Sequence, residues 1–90
     1  MATTVVNVHR EPYDIRIGRP SKWGNPFILS QGNRHNAAAR AKVIAAYEEW
    51  IKTQPKLLAA LHELKGKRLG CFCKPQACHG DVLARLADAS

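Results

Sequence analysis

Residues 67–73, Lys-Arg-Leu-Gly-Cys-Phe-Cys, constrain the fold of this chain most tightly. The apolar residues fall at consecutive positions, so a strand built from them is apolar on both faces. Such a strand is expected at the centre of a sheet, with neighbours on either side. Two segments can supply those neighbours. Residues 3–9, TTVVNVH, are rich in β-branched residues, and residues 14–18, DIRIG, set Ile15 and Ile17 on one face and Arg16 on the other. Glu11 and Pro12 separate the two. All three strands are short, and the chain between the second and third has a helical pattern.

Asn36 is placed to cap a helix running to about Lys52, in which Val43, Ile44, Tyr47, Trp50 and Ile51 share a stripe and Arg40, Lys42, Glu48 and Glu49 fall mainly outside it. Pro55 stands near the start of a second helix with Leu57, Leu58, Leu61 and Leu64 on its apolar face, and Gly66 ends it as a left-handed cap. A last helix is expected from about His79 to Asp88, with Val82, Leu83 and Leu86 inward. Three strands and three helices in 90 residues give a small α/β domain of two or three layers. The whole chain, 1–90, is expected to be one domain. The leucine and aromatic stripes, Tyr47 and Trp50 included, are expected in its core.

Charge narrows the partners. Fourteen Lys and Arg against seven Asp and Glu leave a net charge of +7, which favours an anionic partner: nucleotide, phosphorylated metabolite, nucleic acid or acidic protein. The cations are spread along the chain, as on a folded surface and unlike a basic tail. With 46% hydrophobic and 23% charged residues, a disordered or fibrous chain is not expected. No run approaches the roughly 18 to 20 apolar residues of a membrane span, and the first residues carry no signal pattern. Three cysteines, all within 71–78, argue for a reducing compartment, so a cytoplasmic protein with no membrane partner is expected.

Two segments are out of keeping with a plain scaffold. Residues 18–27, GRPSKWGNPF, follow a strand and set Arg19, Ser21, Lys22 and Asn25 among turn-forming glycines and prolines. Trp23 could present a flat face to a base or anchor the loop in the core; Phe27 is expected to be an anchor. Residues 71–81, CFCKPQACHGD, take the third strand through the turn Lys74-Pro75-Gln76 into a helix start. Open α/β sheets bind ligands at the carboxyl ends of their strands, and a helix start offers backbone N–H groups to an anion. His79 stands at that start, Gly80 would let a ligand approach, and Asp81 would either read a ligand or complement the helix dipole.

Cys71 and Cys73 share a strand face, and with Cys78 and His79 they form C-x-C-x4-C-H, four residues that could ligate zinc at an imperfect spacing. Alternatively Cys71 and Cys73 are small buried hydrophobes. Cys78 could then be a reactive thiol, its thiolate favoured by the helix start, His79 and Lys74.

The loop Gly18, Arg19, Pro20, Ser21, Gly24, Asn25, Pro26, Phe27 and the closing Cys71, Cys73, Pro75, Cys78, His79, Gly80, Asp81 together resemble the small bacterial and phage proteins of domain-of-unknown-function family 4326. The resemblance runs from about residue 5 to residue 86. It implies kinship and these motif positions, and it implies no reaction.

The expected function is binding of a phosphate-bearing small molecule, a nucleotide or nucleotide derivative. Its pocket would lie at the strand C-terminal ends, between the loop from Arg19 to Asn25 and the turn from Cys73 to Asp81. The ligand-binding set is Arg19, Ser21, Lys22, Trp23, Asn25, Lys74, Cys78, His79, Gly80 and Asp81. One alternative is a small nucleotide-processing enzyme using Cys78, His79 or Asp81. Another is a zinc-stabilised nucleic-acid-binding module.

Overall fold

The computed structural model describes residues 2–19, 21–27, 36–72 and 76–90. Its order is β1 (Thr4–Asn7), β2 (Ile15–Arg16), α1 (Ala37–Ile51), α2 (Pro55–Ala60) running into a 3-10 turn (Leu61–Glu63), β3 (Arg68–Cys71) and α3 (His79–Ala89). The strands form one parallel sheet in the order β1-β3-β2. The segment that is apolar on both faces is thus the central strand, and the fold class is α/β as the sequence implied. Val5 and Ile15 both stand opposite Leu69.

Local chemistry accounts for the helices. The Asn36 side chain accepts the Ala39 N–H at the start of α1. Pro55 occupies the first turn of α2, where its missing N–H costs nothing. Gly66, at φ 76°, adopts the left-handed conformation that turns the chain from the 3-10 segment into β3. α3 lies against β1 and β3, and α1 and the 3-10 turn pack onto α3. The described residues therefore put their helices on one face of the sheet, in two layers. Between the layers are Ile17, Leu69 and Cys71 from the sheet side, Tyr47 and Ile51 from α1, Leu61 and Leu64, and Val82, Leu83 and Ala87 from α3.

The other face has a different solution. β1 and β2 both run parallel to β3, so residues 8–14 must return the chain to the start of the sheet. Parallel connections usually take a dozen or more residues. This one is short because the strands are short: it descends only from the level of Cys71 to that of Arg68, about 10 Å at the rise of a strand. The backbone N–H groups of Arg10 and Glu11 both donate to the Asn7 carbonyl, and the His9 N–H donates to Asn7 Oδ1, so the chain reverses sharply. It then passes over β3 at Gly70. A Cβ there would come within 2.7 Å of Tyr13 Cγ and 2.8 Å of Val8 Cγ1, so the crossing requires a residue with no side chain.

Asp14 clasps the start of the sheet. Its carboxylate accepts the Arg68 backbone N–H at 2.8 Å and the Arg68 guanidinium at 3.1 and 3.2 Å. At the termini, Asp88 accepts from the Thr3 hydroxyl at 2.6 Å, and that hydroxyl oxygen accepts the Gly66 N–H.

The side-chain hydrogen bonds from Arg68, followed by its backbone bond, hold the Asp14 carboxyl at about 2, below its ordinary 3.8. A depressed carboxylate stabilises the fold above its unfolded value and loses that contribution as pH falls through the folded one. The stability difference between the wild type and Asp14→Asn should therefore be constant above about pH 4 and close between there and pH 2. Denaturant midpoints of both proteins across that window check this. A difference that persists unchanged to pH 2 would show that the clasp does not form.

Candidate functional site

All three strands point their carboxyl ends to one edge of the sheet, and both motif segments leave from that edge. The loop beginning at Gly18 is a compact series of turns. The Ser21 N–H donates to the Gly18 carbonyl, the Gly24 N–H donates to the Ser21 carbonyl, and the Trp23 N–H donates to Ser21 Oγ at 3.1 Å. Gly24 folds back onto Arg19 so closely that a Cβ would meet Arg19 Cγ at 2.6 Å. Asn25 accepts the Phe27 N–H through Oδ1 and donates through Nδ2 to the Val43 carbonyl, which fastens the loop to α1.

Trp23 settles which of its two expected roles applies. Its side chain is 2% exposed and belongs to the core cluster, so it anchors the loop and offers no face to a base. The loop is short, and burying an indole is the largest apolar contribution available to it. Phe27, expected as an anchor, is instead 40% exposed: with Trp23 already seated, the loop needs no second one.

The second segment shows equal economy. Cys78 is the N-cap of α3, its Sγ accepting the Gly80 N–H at 3.1 Å while Asp81 Oδ2 accepts the Cys78 N–H at 3.1 Å. This is a capping box with sulfur in place of a hydroxyl. Sulfur is a weak acceptor but tolerates the apolar surroundings in which Cys78 is buried. The thiol is therefore a structural cap where a reactive group was an alternative, and Asp81 is its partner. The helix-start N–H of Gly80, expected to bind an anion, is committed to that cap. Gly80 lacks a side chain because the sheet is there: a Cβ would lie 2.7 Å from Ile17 Cδ1 and 2.9 Å from Val5 Cγ1. The sequence carried the signal for the cap, a Cys-x-x-Asp immediately before an apolar helical pattern.

Two contacts unite the segments. His79 Nε2 lies 2.9 Å from the Ile17 carbonyl; a carbonyl only accepts, so Nε2 carries the hydrogen. Tyr47 of α1 donates its hydroxyl to the Trp23 carbonyl at 2.8 Å and meets the His79 ring edge-on at 4.9 Å between centroids. Burial, with the nearby Cys78 thiol adding to it, pushes the Tyr47 hydroxyl's pKa well up, so it remains a donor. No local signal marks Tyr47 as the residue that joins the two motifs, because its position on the helix stripe is that of any core residue. Arg40, also on α1, reaches the Ala77 carbonyl at 3.3 Å, just before the cap.

Of the expected ligand groups, Ser21 and Asn25 thus have bonds within the protein. Lys22 pairs with Glu63 at 3.0 Å on the surface. Arg19 is exposed and has no carboxylate within salt-bridge distance among the described residues. Lys74 and Cys73 lie outside the described residues, as do Pro20 and Pro75. Cys71 and Cys78 are buried with their sulfurs 2.9 Å apart. Among the described residues no three His, Cys, Asp or Glu side chains are grouped to hold a metal ion. None of the helices among them is long and apolar enough to cross a membrane.

With this geometry in place, kinship can be assigned. The family described as "Domain of unknown function (DUF4326)" matches residues 4–89. The chain belongs to this family. As a DUF4326 protein it is similar to the "Uncharacterized 12.4 kDa protein in nrdA-td intergenic region" of Enterobacteria phage T4, at 37% identity over 84 residues, covering 93% of this chain and 76% of the phage protein. No solved structure matches it. The DUF4326 match spans both motif segments and the helix that joins them, so the edge described above lies within the family's own extent.

Replacing Tyr47 by Phe removes the hydroxyl and leaves the buried Trp23 carbonyl without its donor. The expected cost is about 1–3 kcal/mol in urea unfolding. A change below about 0.5 kcal/mol, the usual level of a surface substitution, would mean that the bond does not anchor the loop.

Proposed function

We propose that this domain binds a phosphate-bearing small molecule, a nucleotide or nucleotide derivative, at the carboxyl edge of its sheet, between the loop 19–25 and the turn 73–81. The observation that carries this reading is the contact between His79 and the Ile17 carbonyl, which joins two segments distant in sequence at the edge where open parallel sheets take their ligands. Charge supports it. The chain has a net +7, and Arg19 stands exposed at this edge without a carboxylate partner among the described residues. A guanidinium in that setting suits phosphate, because its planar fork makes paired charge-assisted bonds. Lys74, in the turn, adds a second cation by its position in the sequence.

The bonds inside the loop have a functional consequence as well. Ser21, Trp23, Gly24 and Asn25 are committed to holding its shape, so Arg19 is carried on a preformed support and little ordering cost falls on binding. The division of labour is between residues that shape the edge and cations that meet the anion.

Arg19→Ala should weaken nucleotide binding roughly ten- to hundredfold, the worth of one charge-assisted contact of about 1.5 to 3 kcal/mol. The melting temperature of the free protein should hardly change, since Arg19 is exposed. Calorimetric titration of both proteins with nucleoside mono-, di- and triphosphates, alongside thermal melts, measures the two quantities. Unchanged affinity, or a large drop in the free protein's melting temperature, would contradict the reading.

A further inference from the structure

The face of the sheet opposite α3 carries a group of side chains that neither the core nor the edge site employs. Phe72, just past β3, is 50% exposed, and Tyr13, lying over Gly70, is 41% exposed. Two basic side chains stand against the Phe72 ring. The Arg16 guanidinium stands 4.9 Å from its ring centroid, and the His9 ring lies 5.3 Å away at a 48° tilt. Gly18 lies beside it, where a Cβ would sit at ordinary contact distance, 3.7 Å from the Phe72 ring. Arg10 follows in the same turn as His9 and is also exposed. Neither Arg10 nor Arg16 has a carboxylate within salt-bridge distance among the described residues. Of the two acidic residues in the crossing segment, Asp14 is neutralised by Arg68.

Single exposed apolar residues are ordinary. Two half-exposed aromatic rings on one sheet face, with unneutralised arginines beside them, are a different pattern. Flat rings accept stacked bases without regard to sequence, and the neighbouring guanidinium groups answer the phosphates between them. Sheet faces bearing aromatics are a recurrent platform for unpaired strands, whereas reading a duplex calls for an element that enters a groove. The described residues put no helix on this face to do so.

We propose that the face of the sheet opposite α3 binds single-stranded nucleic acid, with bases stacked on Phe72 and Tyr13 and the backbone met by Arg16 and His9. This goes beyond the nucleotide reading and rests on other residues, so either can fail alone.

The test is fluorescence anisotropy of a labelled oligothymidylate of about twelve nucleotides, with and without its complement, at about 50 mM and 200 mM salt. The intact protein should bind the single strand in preference to the duplex and lose affinity steeply as salt rises. Phe72→Ala should weaken single-strand binding roughly five- to hundredfold and Phe72→Tyr should largely restore it, as stacking requires. Arg16→Ala, at an exposed position, should weaken binding and reduce the salt slope by about one phosphate contact. No binding at the lower salt, equal binding of duplex and single strand, or equal affinities for wild type and Phe72→Ala would each overturn the proposal.

Discussion

The buried hydroxyl of Tyr47 is the point on which the arrangement of this protein turns. It lies in α1, yet its bond to the Trp23 carbonyl fixes the loop after β2, and its ring braces His79 at the start of α3. His79 in turn reaches back to the Ile17 carbonyl at the end of β2. Three elements that share no sequence neighbourhood are thereby closed into a ring around the carboxyl edge of the sheet. The cost of burying a phenol is offset because its hydroxyl is satisfied, and burial keeps it protonated. An apolar ring at this position could fill the core but could not hold the loop.

The sheet's economy follows from its size. Strands of two to four residues bury little surface, so each place where the chain crosses itself is made close, and glycine marks two of them. Gly70 admits the crossing from β1 to β2, and Gly80 admits α3 onto Val5 and Ile17. The short crossing covers Gly70 but leaves Tyr13 and Phe72 partly open, so among the described residues one face of the sheet is covered by helices and the other by the crossing alone.

Much of this was legible in the sequence where the signal was local. The alternation of Ile15 and Ile17 about Arg16, the apolar run around Leu69, the Asn36 cap and the left-handed Gly66 each depend on neighbouring residues, and each is found as expected. What was not legible depends on distant partners. Phe72 looked like part of a strand covered on both sides, but β3 stops at Cys71 and no helix covers that face among the described residues. The sequence leaves Trp23 open between a stacking face and an anchor and expects Phe27 to be an anchor, and only packing against distant core residues decides that the first is buried and the second exposed. Cys78 read as a ligand or nucleophile because cysteine is an uncommon cap; its burial and its bond to the Gly80 N–H give it the structural role. The candidate site was legible as two segments, while the tyrosine that joins them read as an ordinary core residue.

The proposed function requires that the two segments form one binding edge. An amide chemical-shift map of the isotopically labelled protein, titrated with a nucleoside triphosphate, tests it most directly. Saturable shifts are expected in Gly18, Arg19 and Gly24 together with His79 and Gly80, all with one dissociation constant. Shifts confined to one segment, or clustered on the opposite face around Tyr13 and Phe72, would contradict it.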